Sequence, residues 1–356
     1  MQKIISWFQG RMSDQQLVTL LLSLFIIFAL LILVGDVLAP LLVAIAMAYV
    51  LDDIIQLLCR CRVPRVISIV LVLCGAFLII LFALLTILPL LTDQIGRLVT
   101  QTPELIAALR DSIQQFQASY VSWLNPEYLQ QLVATVVNKM QEWGGSLLSV
   151  SIASIPGLIT LLVYVILVPV LIFFLLKDKT VIVAWAQRFL PQERSLLQRV
   201  WREVDIQIGN YIRGKFWESV VVGVAMWLAY AWMEHEYALL LGTLTGISVW
   251  IPFVGAAVVT IPVIILSFFQ WGWSDMMLYG LIAYTVIQLI DANVIVPWIF
   301  SEMVNLHPIA IIVAVLVFGS LWGVLGVFIA IPMAALVQSV LTIIFERKDV
   351  PESLSD

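Results

Sequence analysis

A carboxylate and two carboxamides lie close together inside an apolar stretch. They are Asp291, Gln288 and Asn293, in the run Ile287-Gln288-Leu289-Ile290-Asp291-Ala292-Asn293, with Pro297 just beyond. The apolar segment around them extends from 276 to 300. A spacing of three puts Gln288 and Asp291 on one helical face. If that segment crosses hydrocarbon, an ionisable group within it costs upward of about 2.5 kcal/mol on insertion scales, and such a group normally faces water, a partner or a transported ion. Two readings follow. The trio lines a pathway for a solute or ion, or it supplies a polar contact that holds neighbouring helices together.

The second chemical feature is backbone. Segment 238–269 is interrupted at Ile251-Pro252 and Gly255, followed by Thr260-Ile261-Pro262. Segment 308–345 carries Gly323 and Gly326, followed by Ala330-Ile331-Pro332. Two apolar segments thus share a glycine bend and then an Ile-Pro. Broken segments of this kind expose carbonyls and helix ends to a cavity, which is how many transporters build a binding site. Close helix packing around Gly242, Gly246, Gly319 and Gly323 accounts for the same residues. Glu218, three residues after Lys215 at the entry to an apolar run, reads as structural: an acid suits the start of a span, and the i, i+3 pair supports it.

Other chemistries lack their parts. Gly214-Lys215-Phe216 has neither the upstream glycine spacing nor the hydroxyl residue of a phosphate cradle. His235 and His307 stand alone, and there is no nucleophile elbow. Cys59 and Cys61 flank Arg60, and Cys74 lies in an apolar run, so no four-ligand metal site or disulfide framework is available. No enzyme, cofactor or metal centre is expected.

The elements that must position these groups follow from composition. Of the 356 residues 62% are hydrophobic and 12% charged, and the mean hydropathy is +1.07. Soluble domains carry roughly twice that share of charge. The apolar runs are too long and too unalternating for barrel strands, so the spans are helices. Eight are predicted: 17–34 and 37–51, joined by a tight turn at Gly35-Asp36, then 66–91, 147–176, 217–233, 238–269, 276–300 and 308–345. Fifteen of the 18 basic residues fall on one side of an even-span arrangement, and only Arg97, Arg110 and Lys139 on the other. Because basic residues favour the cytoplasm, both termini are predicted inside a bacterial inner membrane and 93–145 outside.

Three units result: 1–91, an N-terminal surface helix with three spans; 92–146, a periplasmic helical hairpin; and 147–356, a C-terminal transmembrane core with an amphipathic cytoplasmic segment at 177–215. Thr102-Pro103-Glu104 and Asn125-Pro126-Glu127 each read as a helix start. Residues 1–14, with Ile4, Ile5, Trp7 and Phe8, lack a signal-peptide core and read as a helix lying on the bilayer surface.

The residues also carry a resemblance. Phe173-Phe174-Leu175-Leu176-Lys177-Asp178, Asn210-Tyr211-Ile212-Arg213-Gly214-Lys215, Ile251-Pro252-Phe253-Val254-Gly255, Gln288 with Asp291, Asn293 and Pro297, Val304-Asn305-Leu306-His307-Pro308, and Gly323 through Pro332 occur in order along nearly the whole chain. Together they resemble the autoinducer-2 exporter family of permeases. The chain departs at Ala256, where the family usually has proline. The resemblance implies about eight spans and a transport role, with export of a small signalling molecule proposed for some members and cation/proton antiport for others; it does not fix the substrate.

The expected protein is therefore an all-α, polytopic permease. It exports a small solute or ion by alternating access without ATP, through a site between Gln288–Pro297 and the broken segments at Pro252, Gly255, Gly323, Gly326 and Pro332. The competing expectation is a non-transporting scaffold that engages a periplasmic protein partner through 92–146. A homo-oligomer in the lipid bilayer is expected, and no nucleic acid.

Overall fold

The structure, a computed structural model, describes residues 15–119, 131, 134, 135, 139, 155–189, 195–252, 254–300 and 307–346. The surface helix expected at 1–14, the helix start at Asn125 and the 304–306 part of the Asn305 motif lie outside the described residues. Every regular element among the described residues is helical: α1 (Gln15–Arg60), α2 (Arg65–Ser119), α3 (Ile155–Lys177), α4 (Lys179–Ala186), α5 (Ser195–Trp232), α6 (Ala238–Ser248), α7 (Val254–Trp271), α8 (Asp275–Ile290), a π-helical turn (Asp291–Ile295), α9 (Val296–Phe300) and α10 (Pro308–Glu346).

Among the described residues four stretches are long and apolar enough to cross a membrane, Val37–Arg60, Arg65–Leu98, Val254–Trp271 and Asp275–Ile299. Shorter apolar helices are Tyr164–Lys177, Ala238–Ser248, Pro308–Gly323 and Gly326–Ser339. Leu78, Ile79, Phe82 and Leu85 of α2 are exposed along one continuous patch, a surface suited to lipid. The chain is a multi-pass membrane protein. As one straight rod α1, at 46 residues, would measure about 69 Å, over twice the hydrocarbon thickness. It breaks at Val34 (φ −131°, ψ 16°), one residue before the predicted Gly35-Asp36 turn.

The helix start predicted at Thr102-Pro103-Glu104 is not one: α2 runs through it unbroken to Ser119. The helix already exists when the chain reaches Thr102, and extending it avoids the cost of nucleating a new one.

Helix α5 is the hub. It packs against α1, α6, α8, α9 and α10, and Val222, Met226 and Tyr230 are completely buried. The backbones of α5 and α6 approach so closely that a Cβ on Gly242 would sit 2.8 Å from the Gly223 carbonyl oxygen, and one on Gly246 2.8 Å from that of Ser219. Small-residue packing is thus what Gly242 and Gly246 do. One core gathers Met226, Tyr230, Leu241, Val263, Leu266 and Tyr284 from α5 to α8. Another gathers Ala44, Leu51, Ile55, Ile69, Val72 and Ile172 from α1 to α3.

The two broken segments are both helical hairpins. In the first, the turn at 249–252 leads from α6 toward α7, and a Cβ on Gly255 would collide with the Ser248 carbonyl. In the second, α10 folds back on itself at Gly323 (φ 58°, ψ −133°), a backbone region that suits glycine. A Cβ on Gly326 would collide with the carbonyl of Phe318, although residues eight apart in a straight helix lie about 12 Å from each other. Ala314, Val315 and Phe318 of one arm accordingly pack on Ala330 of the other. The first arm of the second hairpin, Pro308–Gly323, and α6 of the first have fewer than 18 residues, at most about 24 Å of helix, short of a crossing, whereas the returning arms, Val254–Trp271 and 326–346, are longer.

Candidate functional site

Asp291 opens the π-helical turn, in which the Val296 N–H donates to the Asp291 carbonyl, five residues back. Such turns widen a helix and are frequent at functional sites. The side chain is 9% exposed, and its Oδ1 is buried with no hydrogen-bond partner among the described residues. Gln288, one turn earlier, is half-buried. Asn293 and Pro297 are exposed, and Asn293 donates to the Leu289 carbonyl at 2.9 Å. The fold therefore turns Asp291 inward and leaves Asn293 and Pro297 on the outer side of the same widened turn.

Helix α5 packs on the π-helical turn and carries a buried ion pair. Lys215 and Glu218 are 7% and 2% exposed, and the Lys215 Nζ lies 2.9 Å from each carboxylate oxygen of Glu218. The ammonium also donates to the Val249 carbonyl at 3.1 Å, in the turn of the first hairpin. Lys215 acts electrostatically on Asp291, and Asp291 on Glu218. An ammonium, a carboxylate and a hairpin-tip carbonyl are thus in direct contact, with α5 packed on the π-helical turn that carries Asp291. Glu218 sits well inside the continuous α5, so no helix-start dipole supports it; its counter-charge is Lys215.

The two hairpin tips meet beside this cluster. Trp250, next to Val249, stacks on Phe328 of the second hairpin at 3.9 Å between ring centroids and 19° between planes. Pro252 lies half-buried in the first tip, and Gly255 and Gly326 are buried where each hairpin closes. Gly323 is exposed at the second tip, and Pro332 is buried inside the returning arm. The second reversal is made at Gly323 and the first at 249–252, ahead of Gly255; Pro262 and Pro332 lie within helices. Of the residues singled out in the sequence, Asp291, Pro252, Gly255 and Gly326 belong to elements that converge here. The sequence reading missed the part of Lys215 and Glu218, for which there was one signal: Lys215 is the last basic residue before Arg347, and it is paired with an acid at the mouth of an apolar run.

On the outer side of α5 a groove of about 570 Å³ opens between Asp53, Asn210, Arg213, Trp217, Trp298 and Ile299. Arg213 approaches Asp53 at 3.4 Å and donates to Asn210 at 2.8 Å. At the far end of α5 the turn 233–237 is fastened to α2: Gln94 donates to the Glu236 carbonyl and accepts from the Leu240 N–H, and the Tyr237 hydroxyl donates to Gln101 at 2.6 Å. His235 in this turn accepts from the Tyr237 N–H at 3.0 Å and sets its ring at 90° to Trp271. Burial pushes its pKa down to about 4, since charging the imidazole there has no carboxylate to offset it.

Residues 19–346 match the pattern of the AI-2E family transporter. The chain is 38% identical over 344 residues to the Escherichia coli K12 protein named "Putative permease PerM", covering 96% of this chain and 97% of that one. It is 22% identical over 334 residues to the protein named AI-2 transport protein TqsA of Escherichia coli K12, covering 90% of each.

Proposed function

The chain belongs to the AI-2E family of transporters, and on that premise we propose that it is a secondary transporter of the bacterial inner membrane that exports a small solute by alternating access without ATP. Both termini face the cytoplasm in this reading, and 92–146 faces the periplasm, where it joins copies of the chain in a homo-oligomer or meets a periplasmic protein. The skew of basic residues supports the orientation; reporters fused after Arg65 and at Asn125 should read opposite sides, and equal readings would refute it.

One observation carries the site assignment. Asp291 is buried with an oxygen that no described residue satisfies, in a π-helical turn packed on α5, whose Lys215 tethers the first hairpin tip. A polar group left unsatisfied in a low-dielectric interior costs about 1–3 kcal/mol or more. A pathway accounts for that cost because the group is satisfied when the transported species or water arrives. Helix glue does not, because glue needs a bonded partner. Pro252, Gly255, Gly323 and Gly326 would act through the backbone, by letting the tips close over the site, and Gln288 would supply a second polar contact.

Reconstitution into liposomes tests the assignment. A panel of small metabolites, headed by the AI-2 for which TqsA is named, and of monovalent cations should contain at least one species whose flux saturates with concentration and exceeds that of empty liposomes at least about tenfold. No flux of any panel member would support a scaffold, and non-saturating flux a channel.

A further inference from the structure

We propose that the groove on the outer side of α5 binds a membrane phospholipid whose headgroup carries both a phosphate and a primary ammonium, with the phosphate on Arg213 and the ammonium on Asp53. This site is separate from whatever is transported and needs only that α5 stands in a bilayer.

The groove is polar at one end and apolar at the other. Asn210, Arg213, Trp217 and Val221 line it from α5, and their spacings of three and four put them on one face of that helix. At the rise of an α-helix, Trp217 stands about 6 Å and Val221 about 12 Å along the axis from Arg213. Beyond them the same face continues with Val224 and Leu228, both exposed, and from 220 to 232 the helix has no charged residue. Asp53 enters from α1, and Trp298 from α9 with its ring 81% exposed.

This gradient is the profile of a lipid. A small soluble ligand held at Arg213 leaves the apolar length uncovered, whereas an acyl chain laid along Trp217, Val221 and Val224 covers it and keeps the headgroup at the polar end. Two exposed tryptophans beside an arginine mark the headgroup level, where an amphipathic ring is best placed. The volume of about 570 Å³ falls within the range of small-ligand clefts, about 300–1,000 Å³.

The polar end selects the headgroup. Arg213 Nε lies 3.4 Å from Asp53, Nη1 lies 3.5 Å from the same carboxylate, and Nη2 donates to Asn210 at 2.8 Å. A guanidinium has five N–H donors, so at least two remain beyond these contacts, and its fork suits phosphate oxygens. The Asp53 side chain is 59% exposed, and a carboxylate has about four acceptor positions, which Arg213 does not fill. Donors and acceptors therefore stand side by side on a pair with no net charge. An anionic lipid with a hydroxyl headgroup would set its phosphate against the Asp53 carboxylate with no cation to offset it. A choline headgroup brings a cation but has no N–H to donate. A phosphate followed by a primary ammonium completes a ring of alternating charge, in which guanidinium, phosphate, ammonium and carboxylate each have opposite neighbours and charge-assisted hydrogen bonds.

Lipid retention tests the site without a transport assay. The full chain is reconstituted in vesicles of equal parts phosphatidylethanolamine, phosphatidylcholine and phosphatidylglycerol with identical acyl chains, extracted in mild detergent and weighed with its bound lipid by native mass spectrometry. The wild type should retain phosphatidylethanolamine at least about tenfold over either of the others, the scale of one charge-assisted hydrogen bond. Arg213→Gln should abolish that excess. Asp53→Asn, which frees the guanidinium of its carboxylate, should reverse the preference toward phosphatidylglycerol, a gain that misfolding does not produce. Trp298→Ala, with both charges in place, should lower retention of all three lipids. Equal retention of the three by the wild type, or a wild-type preference for phosphatidylglycerol, would overturn the proposal. So would phosphatidylethanolamine retention that neither Arg213→Gln nor Asp53→Asn alters, and a lipid-free dimer in that experiment would give the groove to a second copy of the chain. None of these results bears on flux, so the transport reading stands or falls separately.

Discussion

Asp291 was legible because a carboxylate is conspicuous in an apolar run. Its neighbours were not. Lys215 and Glu218 have the i, i+3 spacing of an ordinary exposed helix pair, and nothing in the local sequence says that α5 is buried there. Only the packing of α5 against the π-helical turn joins the pair to Asp291. His235 was similarly silent, a lone histidine whose burial depends on Trp271 and Tyr237. Its consequence is a pH dependence of stability. The folded pKa, near 4, lies below the ordinary histidine value of 6.5, so the neutral ring stabilises the fold fully above 6.5, and that contribution is lost as pH falls from 6.5 toward 4. By linkage the loss reaches about 3 kcal/mol at most. The Tm should therefore fall over this interval in the wild type and fall less in His235→Asn, whose side-chain oxygen can still accept from Tyr237. Parallel curves for the two proteins would show that His235 does not titrate as argued.

The hairpins were half legible as elements. Glycines at 255, 323 and 326 marked where the chain had to bend, because a bend with close backbone contact excludes a Cβ, and that constraint is local. The Ile-Pro signals were misleading as bends, since Pro262 and Pro332 are accommodated inside helices. Thr102-Pro103-Glu104 misled for the opposite reason, a start signature overridden by a helix already under way. The close contact at Gly326 is testable on its own. Gly326→Ala places a methyl group against the Phe318 carbonyl and should cost about 1–3 kcal/mol, as overpacking does. Gly75→Ala meets nothing within 4 Å and should be neutral or slightly stabilising, since alanine is the better helix former. Thermal melts in detergent should separate the two variants by several degrees; equal melts would mean the hairpin does not close at Gly326.

For the molecule as a whole, composition alone set the class: a chain this apolar has to place its helices in lipid. It could not set how the last segments thread, because no Lys or Arg lies between Phe216 and Glu346, which leaves charge bias nothing to act on. The fold shows two helical hairpins, each with one arm too short to cross, Ala238–Ser248 and Pro308–Gly323, and with tips that meet at Trp250 and Phe328. The central proposal is that Asp291 is part of the transport pathway and not part of the scaffold. The most direct test is the flux of the reconstituted protein as a function of pH, measured for the wild type and Asp291→Asn at matched Tm and matched oligomeric state. Asn keeps the shape and hydrogen-bonding capacity and removes the charge. The prediction is a flux at least about tenfold lower and independent of pH in the variant; wild-type flux with an unchanged pH profile would contradict it.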